Sequence, residues 1–247
     1  MKKLIGAALV SLQMLAVDAA YADFEFEYGG HSYKVVTTGA SYANALAAAA
    51  AATSSSGATD GYLVDIESSA ENAAIAARLA SNIASSAYAS TTAQDGGGSA
   101  YVWIGADDRS TEGTWVWNTL TGTEAFWSGD ETGSAVGGKY NNWGTESGTQ
   151  NEPDDSGGQD AAGIGLQTWP NPSLNAGFVL GTAGQWNDVA ESNQLYYIIE
   201  WDSVASGGGS STPVGGGSST PVPTMPFYVL LLLSGLLAVF GLKRIKR

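Results

Sequence analysis

The sequence predicts an α+β domain between residues 23 and 206, and three observations carry that assignment. Two helical patterns lie early in the stretch. Short aromatic strands and Gly-rich loops fill the rest. The two kinds are segregated along the chain and do not alternate as they would in a parallel-sheet protein. The stretch is long enough to bury one core without covalent staples.

The elements follow in order. Phe24–Tyr28 and residues 32–36 read as a first pair of short strands around Gly29-Gly30. Ser41 opens an Ala-rich stretch to residue 52 that reads as a helix, ended by the small polar residues 53–57. Residues 61–66 are β-type. Ser68 and Glu71 have the spacing of a capping box, and Ile75, Leu79 and Ile83 continue it on one helical face. Residues 94–99 form a Gly-rich loop. Residues 101–104 and 114–117 are short aromatic strands, and 161–166 and 196–201 are strands as well. Between them, residues 128–160 are rich in Gly, Asn, Asp and Glu, with Val136, Tyr140 and Trp143 as the few apolar anchors. A loop of this length inside a domain marks function or disorder.

The ends of the chain predict export. Lys2 and Lys3, an apolar run over residues 4–17, and Ala20-Tyr21-Ala22 have the order of a secretory signal peptide cleaved after Ala22. Residues 207–222 repeat Gly-Gly-Gly-Ser-Ser-Thr-Pro-Val and read as a tether with a reach of roughly 20–24 Å. Residues 223–247 read as a C-terminal anchor. The uncharged run 227–242 would span roughly 24 Å as a helix, just short of a ~30 Å hydrocarbon core. Lys243, Arg244, Lys246 and Arg247 then hold its end on the cytoplasmic side. The organisation is thus signal 1–22, domain 23–206, linker 207–222 and anchor or sorting segment 223–247.

Charge narrows the partners. Between residues 23 and 206 the cations are Lys34, Arg78, Arg109 and Lys139, against 23 acids, a net charge of about −19. Such a surface argues against nucleic acid and anionic membrane surfaces and fits cation binding. There is no cysteine, so thiolate chemistry, disulfides and Cys-ligated metals are excluded. The chain has one histidine and no Gly-x-Ser-x-Gly, His-Glu-x-x-His or phosphate loop, so it does not read as an enzyme.

Six short motifs in sequence resemble the C-type lectin-like domain, in its disulfide-free bacterial form. They are residues 61–68 followed by Glu71 and Asn72; Trp103-Ile104-Gly105; Glu112-Gly113-Thr114-Trp115 with Trp117; Trp143 leading to Asn151-Glu152-Pro153-Asp154-Asp155; Trp186-Asn187-Asp188; and the closing Ile198-Ile199-Glu200-Trp201. The resemblance covers nearly all of the domain. It implies a fold of two helices, short antiparallel sheets and a long calcium-binding loop. It also implies a cis bond before Pro153 and a calcium ion that coordinates vicinal sugar hydroxyls. X-Pro bonds adopt cis far more readily than others.

The residues themselves suit a hard cation, which takes about 6–8 oxygen ligands. Glu152, Asp154, Asp155, Gln159, Asp160, Asn187 and Asp188 all carry side-chain oxygens. By the resemblance Glu152, Asp154, Asn187 and Asp188 are the main calcium and sugar ligands, with Gln159 beside them. A second site would use Asp108, Glu112, Asp155 and Asp160. The chain departs from the family pattern in having Gln159-Asp160 for a Glu-Asp pair, which removes one negative charge. Its Glu-Pro-Asp triplet mixes two sugar-selectivity forms and leaves the sugar open. Trp186 is expected to fix the strand that carries Asn187 and Asp188, so that losing Asp188 costs ion affinity without disturbing the core.

Other readings are structural. Glu112-Gly113 reads first as a turn. The eight tryptophans read as core and loop anchors before a sugar-stacking platform, and Trp169, followed by Pro170, is the best candidate among them for an exposed ring. His31, near a strand start, is assigned no role. Two function classes follow: a calcium-dependent glycan- or polysaccharide-binding surface or matrix protein, or a calcium-stiffened or calcium-independent adhesion module for a surface protein. The tail, with Pro223-Thr224-Met225-Pro226 before the apolar run, also resembles the sorting signals processed by exosortase-type enzymes, although the usual Pro-Glu-Pro is absent.

Overall fold

The computed structural model describes residues 22–175 and 177–202. The signal segment, the linker and the anchor expected from the sequence lie outside the described residues. The described residues all belong to the first of two units, 1–206 and 207–247. Among them no helix is long and apolar enough to cross a membrane.

The chain opens with β1 (Phe24–Tyr28) and β2 (His31–Ala40), a hairpin turned by Gly29 and Gly30, both at positive φ. Next comes α1 (Tyr42–Ala50), whose N-cap Ser41 accepts from the Asn44 N–H. After β3 (Tyr62–Leu63) comes α2 (Ser69–Asn82), capped by Ser68, whose hydroxyl accepts from the Glu71 N–H. The reciprocal arm of the expected capping box reaches one residue further back, because Glu71 accepts from the N–H of Glu67. A 3₁₀ segment (Ser85–Thr91) leads to β4 (Thr92–Ala93) and β5 (Ser99–Asp107). Then follow β6 (Thr114–Thr119), β7 (Gly122–Ser128), β8 (Ser134–Ala135), a short 3₁₀ turn (Val136–Gly138), β9 (Thr145–Glu146) and β10 (Thr149–Gln150). The last strands are β11 (Ala161–Gly165), β12 (Trp186–Val189) and β13 (Leu195–Trp201). The α+β assignment holds.

The backbone order of the main sheet is β1-β2-β13-β5-β6-β7-β8, with β3 added to β13 and the β11–β12 pair added to β5. The pairings are antiparallel except β13 with β5, where Tyr196 faces Val102 and Tyr197 faces Trp103 in parallel. The second strand and the last therefore lie side by side, through a register that sets Val35 of β2 opposite Ile198 of β13.

β5 and β13 are buried along their whole length. Strand alternation explains why. Val102, Ile104 and Ala106 join Tyr196 and Ile198 in a core beneath α2, together with Ile75, Leu79, Trp117 and Trp186. Tyr101 and Trp103 join Tyr197, Ile199 and Trp201 in a second core beneath α1, with Tyr42, Ala45 and Ala49. One helix thus covers each face of the centre of the sheet. Gly105 is required where β3 crosses β5: a Cβ there would lie 2.3 Å from the Leu63 carbonyl oxygen. The Gly105 N–H instead donates to the Val64 carbonyl at 2.7 Å.

α2 is tied to β12 by a buried side-chain bridge. The Trp186 indole N–H donates to Asn72 Oδ1 at 2.8 Å, and Asn72 Nδ2 donates to the Gly184 carbonyl at 2.9 Å. Asn72→Ala leaves the buried indole N–H without an acceptor. It is expected to cost about 2 kcal/mol of unfolding free energy, read as a lower urea midpoint at unchanged slope. An unchanged midpoint would refute the bridge.

The stretch 128–160, expected as a loop, is more structured than its composition suggests. It holds β8, β9 and β10, and it buries Trp143 against Trp115 at 4.8 Å between ring centroids. Its one deep aromatic anchor, edge-on to Trp115 and Trp186 and stacked with Phe126, sets where the acidic segment that follows can lie.

Candidate metal and ligand site

β12 carries Trp186, Asn187 and Asp188 in register with β11, so the three are held on a paired and fully buried strand. Trp186 faces the α2 core. Asp188 is 0 % exposed, and its carboxylate reaches the acidic loop. Its Oδ2 accepts from the N–H of Asp155 at 2.8 Å and from that of Asp154 at 3.1 Å. The strand therefore holds the loop even without an ion. The Glu152–Pro153 bond is cis, as the resemblance implied, and Asp155 sits at φ +45°.

One carboxylate oxygen each from Glu152, Asp154 and Asp188 lies within 4.8 Å of the others. Glu152 and Asp188 are buried and Asp154 is exposed, so the cluster opens to solvent on one side only. Burial, then the charges of Asp188 and Asp154, pushes Glu152 up to about 9. Burial raises Asp188 to about 7, against the lowering effect of its backbone N–H donors. Asp154 is raised by burial and by Glu131 and Asp155. Glu131 also raises Glu152, which places its charge among those facing the cluster. Among the described residues no lysine or arginine forms an ion pair with these three groups.

Trp169 corrects an expectation. It is 1 % exposed and offers no stacking face to a sugar. Its indole N–H donates to Glu152 Oε1 at 2.8 Å. Gly181, Gly144 and Gly165 flank the ring, and a Cβ at Gly181 would stand 2.1 Å from it. Trp169 orients Glu152 and stabilises its charged form. Trp169→Phe keeps a ring and removes the donor. Calcium titration of this variant is expected to show roughly fivefold weaker binding, about 1 kcal/mol; affinity equal to the parent would show that the indole does not position Glu152.

Asn187 is buried, and its Nδ2 donates to the Tyr101 hydroxyl at 3.0 Å, which in turn donates to the Gly96 carbonyl. The amide is oriented by a buried partner, as outer-shell groups orient ligands at metal sites. Gln159 is also buried; its Nε2 donates to the Asp95 carbonyl at 3.2 Å and its N–H to Asp155 Oδ1. Asp95 is a residue that the sequence reading passed over. Its carboxylate accepts from the Ala190 N–H and from Asn193 just past β12.

The second expected set is brought together in part. Asp108, Glu112 and Asp160 converge within 4.8 Å, and that trio closes without Asp155, which instead caps the loop at Gln159. Asp108 is 2 % exposed; Oδ2 accepts from the Gly113 N–H, while the buried Oδ1 has no partner. Burial and the neighbouring Glu112 and Asp160 raise Asp108 to about 7. A buried carboxylate with an orphaned oxygen, grouped with two other carboxylates, fits a cation. Glu112-Gly113 is at once the expected turn, with Gly113 at φ +71°, and part of this trio.

Fold and site together define an α+β domain with two clusters of convergent carboxylates at one loop-rich end. No family model matches the sequence. The sequence is 33 % identical over 114 residues to Halomucin of Haloquadratum walsbyi, covering 45 % of this chain and 1 % of that protein. The chain thus spans about one hundredth of that relative's length. Among solved structures it is similar to the C-type lectin CEL-I from Cucumaria echinata, at 21 % identity over 71 % of this chain and 93 % of that one, with a TM-score of 0.45. It is also similar to human lithostathine, at 15 % identity over 72 % and 96 % of the two chains and TM-score 0.45. The mouse scavenger receptor C-type lectin carbohydrate-recognition domain gives 21 % identity over 72 % and 93 %, with TM-score 0.43.

Proposed function

We propose that residues 23–206 form a calcium-dependent, carbohydrate-binding lectin-like domain of an exported protein, serving adhesion or glycan recognition and not catalysis. The observation that carries this reading is the convergence of Glu152, Asp154 and Asp188 within 4.8 Å, two of them buried and none paired with a lysine or arginine among the described residues. An ion there would be held by these three, with Asn187 and Gln159 as neutral oxygen donors. The ion supplies a fixed positive charge that can accept two adjacent sugar hydroxyls as further ligands. The side chains do the rest: Asp154, on the open side and steadied by the Ser156 N–H, can accept hydrogen bonds from the sugar hydroxyls, while Asp188 keeps the loop in place. Asp108, Glu112 and Asp160 would hold a second ion that stiffens the same end.

The test is calorimetric titration of the full chain in detergent with calcium, followed by a glycan array with calcium or chelator. Calcium-dependent glycan binding supports the reading. Binding of a protein partner that persists in chelator would replace it with the adhesion-module alternative. We further assign residues 1–22 as a signal, and 223–247 as an anchor processed by an exosortase-type enzyme, on the charge and apolar order of those segments. Mass spectrometry of the mature protein is expected to find neither the first 22 residues nor Arg247; an intact Arg247 end would refute processing.

A further inference from the structure

A small cleft opens where β6 meets the turn Val136–Gly138, and it shares no residue with the carboxylate clusters. It measures about 170 Å³ and is lined by Glu67, Trp117, Gly138, Lys139 and Tyr140. The chain builds it from three places. Gly137 and Gly138 both take positive φ, and the turn they make delivers Lys139 and Tyr140. The register of β6 and β7 sets Trp117 opposite Glu124, and the Lys139 ammonium pairs with Glu124, which holds the turn beside Trp117. Glu67 immediately precedes Ser68, the N-cap of α2.

Three polar groups in this cleft are unused. Trp117 is 2 % exposed, and packing fixes its ring: Phe126 stacks on it at 4.5 Å between centroids, and Trp186 meets it edge-on. Its one polar atom, the indole N–H, makes no hydrogen bond among the described residues. Unlike the indole N–H of Trp143, it is not sealed in the core, so it faces the cleft. A donor on a buried side chain that the protein leaves unpaired calls for a partner from outside. Tyr140 is half-buried, with its ring edge-on to Trp186. Its hydroxyl and the carboxylate of the exposed Glu67 also have no hydrogen bond or ion pair among the described residues.

From this geometry we infer that the cleft binds one neutral sugar residue, without calcium, through the Trp117 N–H, the Tyr140 hydroxyl and the Glu67 carboxylate. A sugar hydroxyl both donates and accepts. It therefore suits a site that offers a donor, an acceptor and a group that can be either. The aromatic ring of Tyr140 gives the carbon framework of the sugar an apolar surface. The charges select against ions. Glu124 already offsets Lys139, and the acidic domain repels an anion, while the Lys139 ammonium at the cleft disfavours a cation. The volume lies below the roughly 300–1,000 Å³ of pockets for drug-sized ligands, so the cleft holds a single unit. This subsite goes beyond the calcium reading and does not depend on it, because it uses no ion and none of those carboxylates.

The full chain, ¹⁵N-labelled at tryptophan and kept in detergent with chelator, is titrated with methyl α-glucoside, methyl α-mannoside and methyl α-galactoside. Trp117→Phe assigns the Trp117 indole signal among the eight tryptophans. At least one glycoside is expected to shift that signal saturably. Glu67→Gln is expected to weaken the binding at least fivefold. Glu67 is exposed and its carboxylate is unpaired, so this variant should fold like the parent, as circular dichroism checks. Calorimetry of parent and Glu67→Gln with the same glycosides reads the effect without the tryptophan assignment. Asp188→Asn, at the calcium cluster, is expected to bind the glycoside unchanged, so failure of one site is distinguished from failure of the other. A Trp117 signal that ignores all three glycosides would overturn the inference. So would an equal shift with glycerol, which would mean an adventitious additive only, parent-like binding in Glu67→Gln, or loss of binding in Asp188→Asn.

Discussion

Asp188→Asn is expected to weaken calcium binding by at least tenfold, about 1.4 kcal/mol, and to abolish any calcium-dependent glycan binding with it. Asp188 contributes a carboxylate oxygen to the cluster from a strand that cannot move away, since β12 is paired to β11 and buried throughout. Asparagine keeps one acceptor oxygen for the N–H groups of Asp154 and Asp155, so the loop stays capped while the charge is lost. Alanine behaves differently. The sequence suggested that Asp188→Ala and the parent would unfold alike in chelator, but the structure gives Asp188 two backbone donors that alanine would orphan. Asp188→Ala is therefore expected to be less stable than the parent even without calcium, by about 1–3 kcal/mol. Calorimetry with calcium, and unfolding of all three proteins in chelator, read the two effects separately. Parent-like calcium affinity in Asp188→Asn would mean that the ion does not sit at this cluster.

The second large effect is on pH. Glu152 is raised to about 9 from an unfolded value near 4.5, and Asp188 and Asp108 to about 7 from near 3.8. A carboxyl whose folded value lies above its unfolded one contributes fully to stability below the unfolded value and loses that contribution as pH rises through the folded value. The calcium-free domain should thus lose stability between pH 4 and 9, with Asp65 and Glu200, raised to about 6 and 10 by burial, acting in the same direction. Calcium needs the carboxylates deprotonated, so its affinity rises over the same range. At a hundredfold excess over Kd the ion adds about 2.7 kcal/mol. Adding calcium is expected to raise the unfolding midpoint more at pH 8.5 than at pH 5.5, while the midpoint in chelator falls from pH 5.5 to 8.5. A calcium-induced rise that is the same at both pH values would remove these carboxyls from the ion site. In Asp188→Asn the pH dependence of the rise should be shallower.

What the sequence determined by itself is local. The cap residues Ser41 and Ser68 are legible because a side-chain hydroxyl three residues before a free N–H satisfies it whatever the rest of the fold does. The strands at Phe24–Tyr28 and Ala161–Gly165 declared themselves by composition and turns, and the acidic segment with its Glu-Pro-Asp marked where oxygens concentrate. The pairing of Asp188 with residues about 34 positions away was implied by family resemblance and not by spacing.

Tertiary structure decided the rest, for reasons that one-dimensional pattern does not carry. The assignment of β5 and β13 to two cores depends on a helix covering each face, which a continuous apolar run does not reveal. Trp169 was expected at the surface because loop residues flank it. Gly144, Gly165 and Gly181 make room for its ring, and a carboxylate that needs a donor draws its indole inward. His31 gave no signal in sequence because its partners lie at the far end of the chain. The pairing of β2 with β13 brings the buried Glu200 carboxylate to 2.7 Å from its Nδ1. Residue type fixes which atoms can hold an ion, but convergence and desolvation, which give them reason to do so, are set by strands that meet across the whole length of the domain.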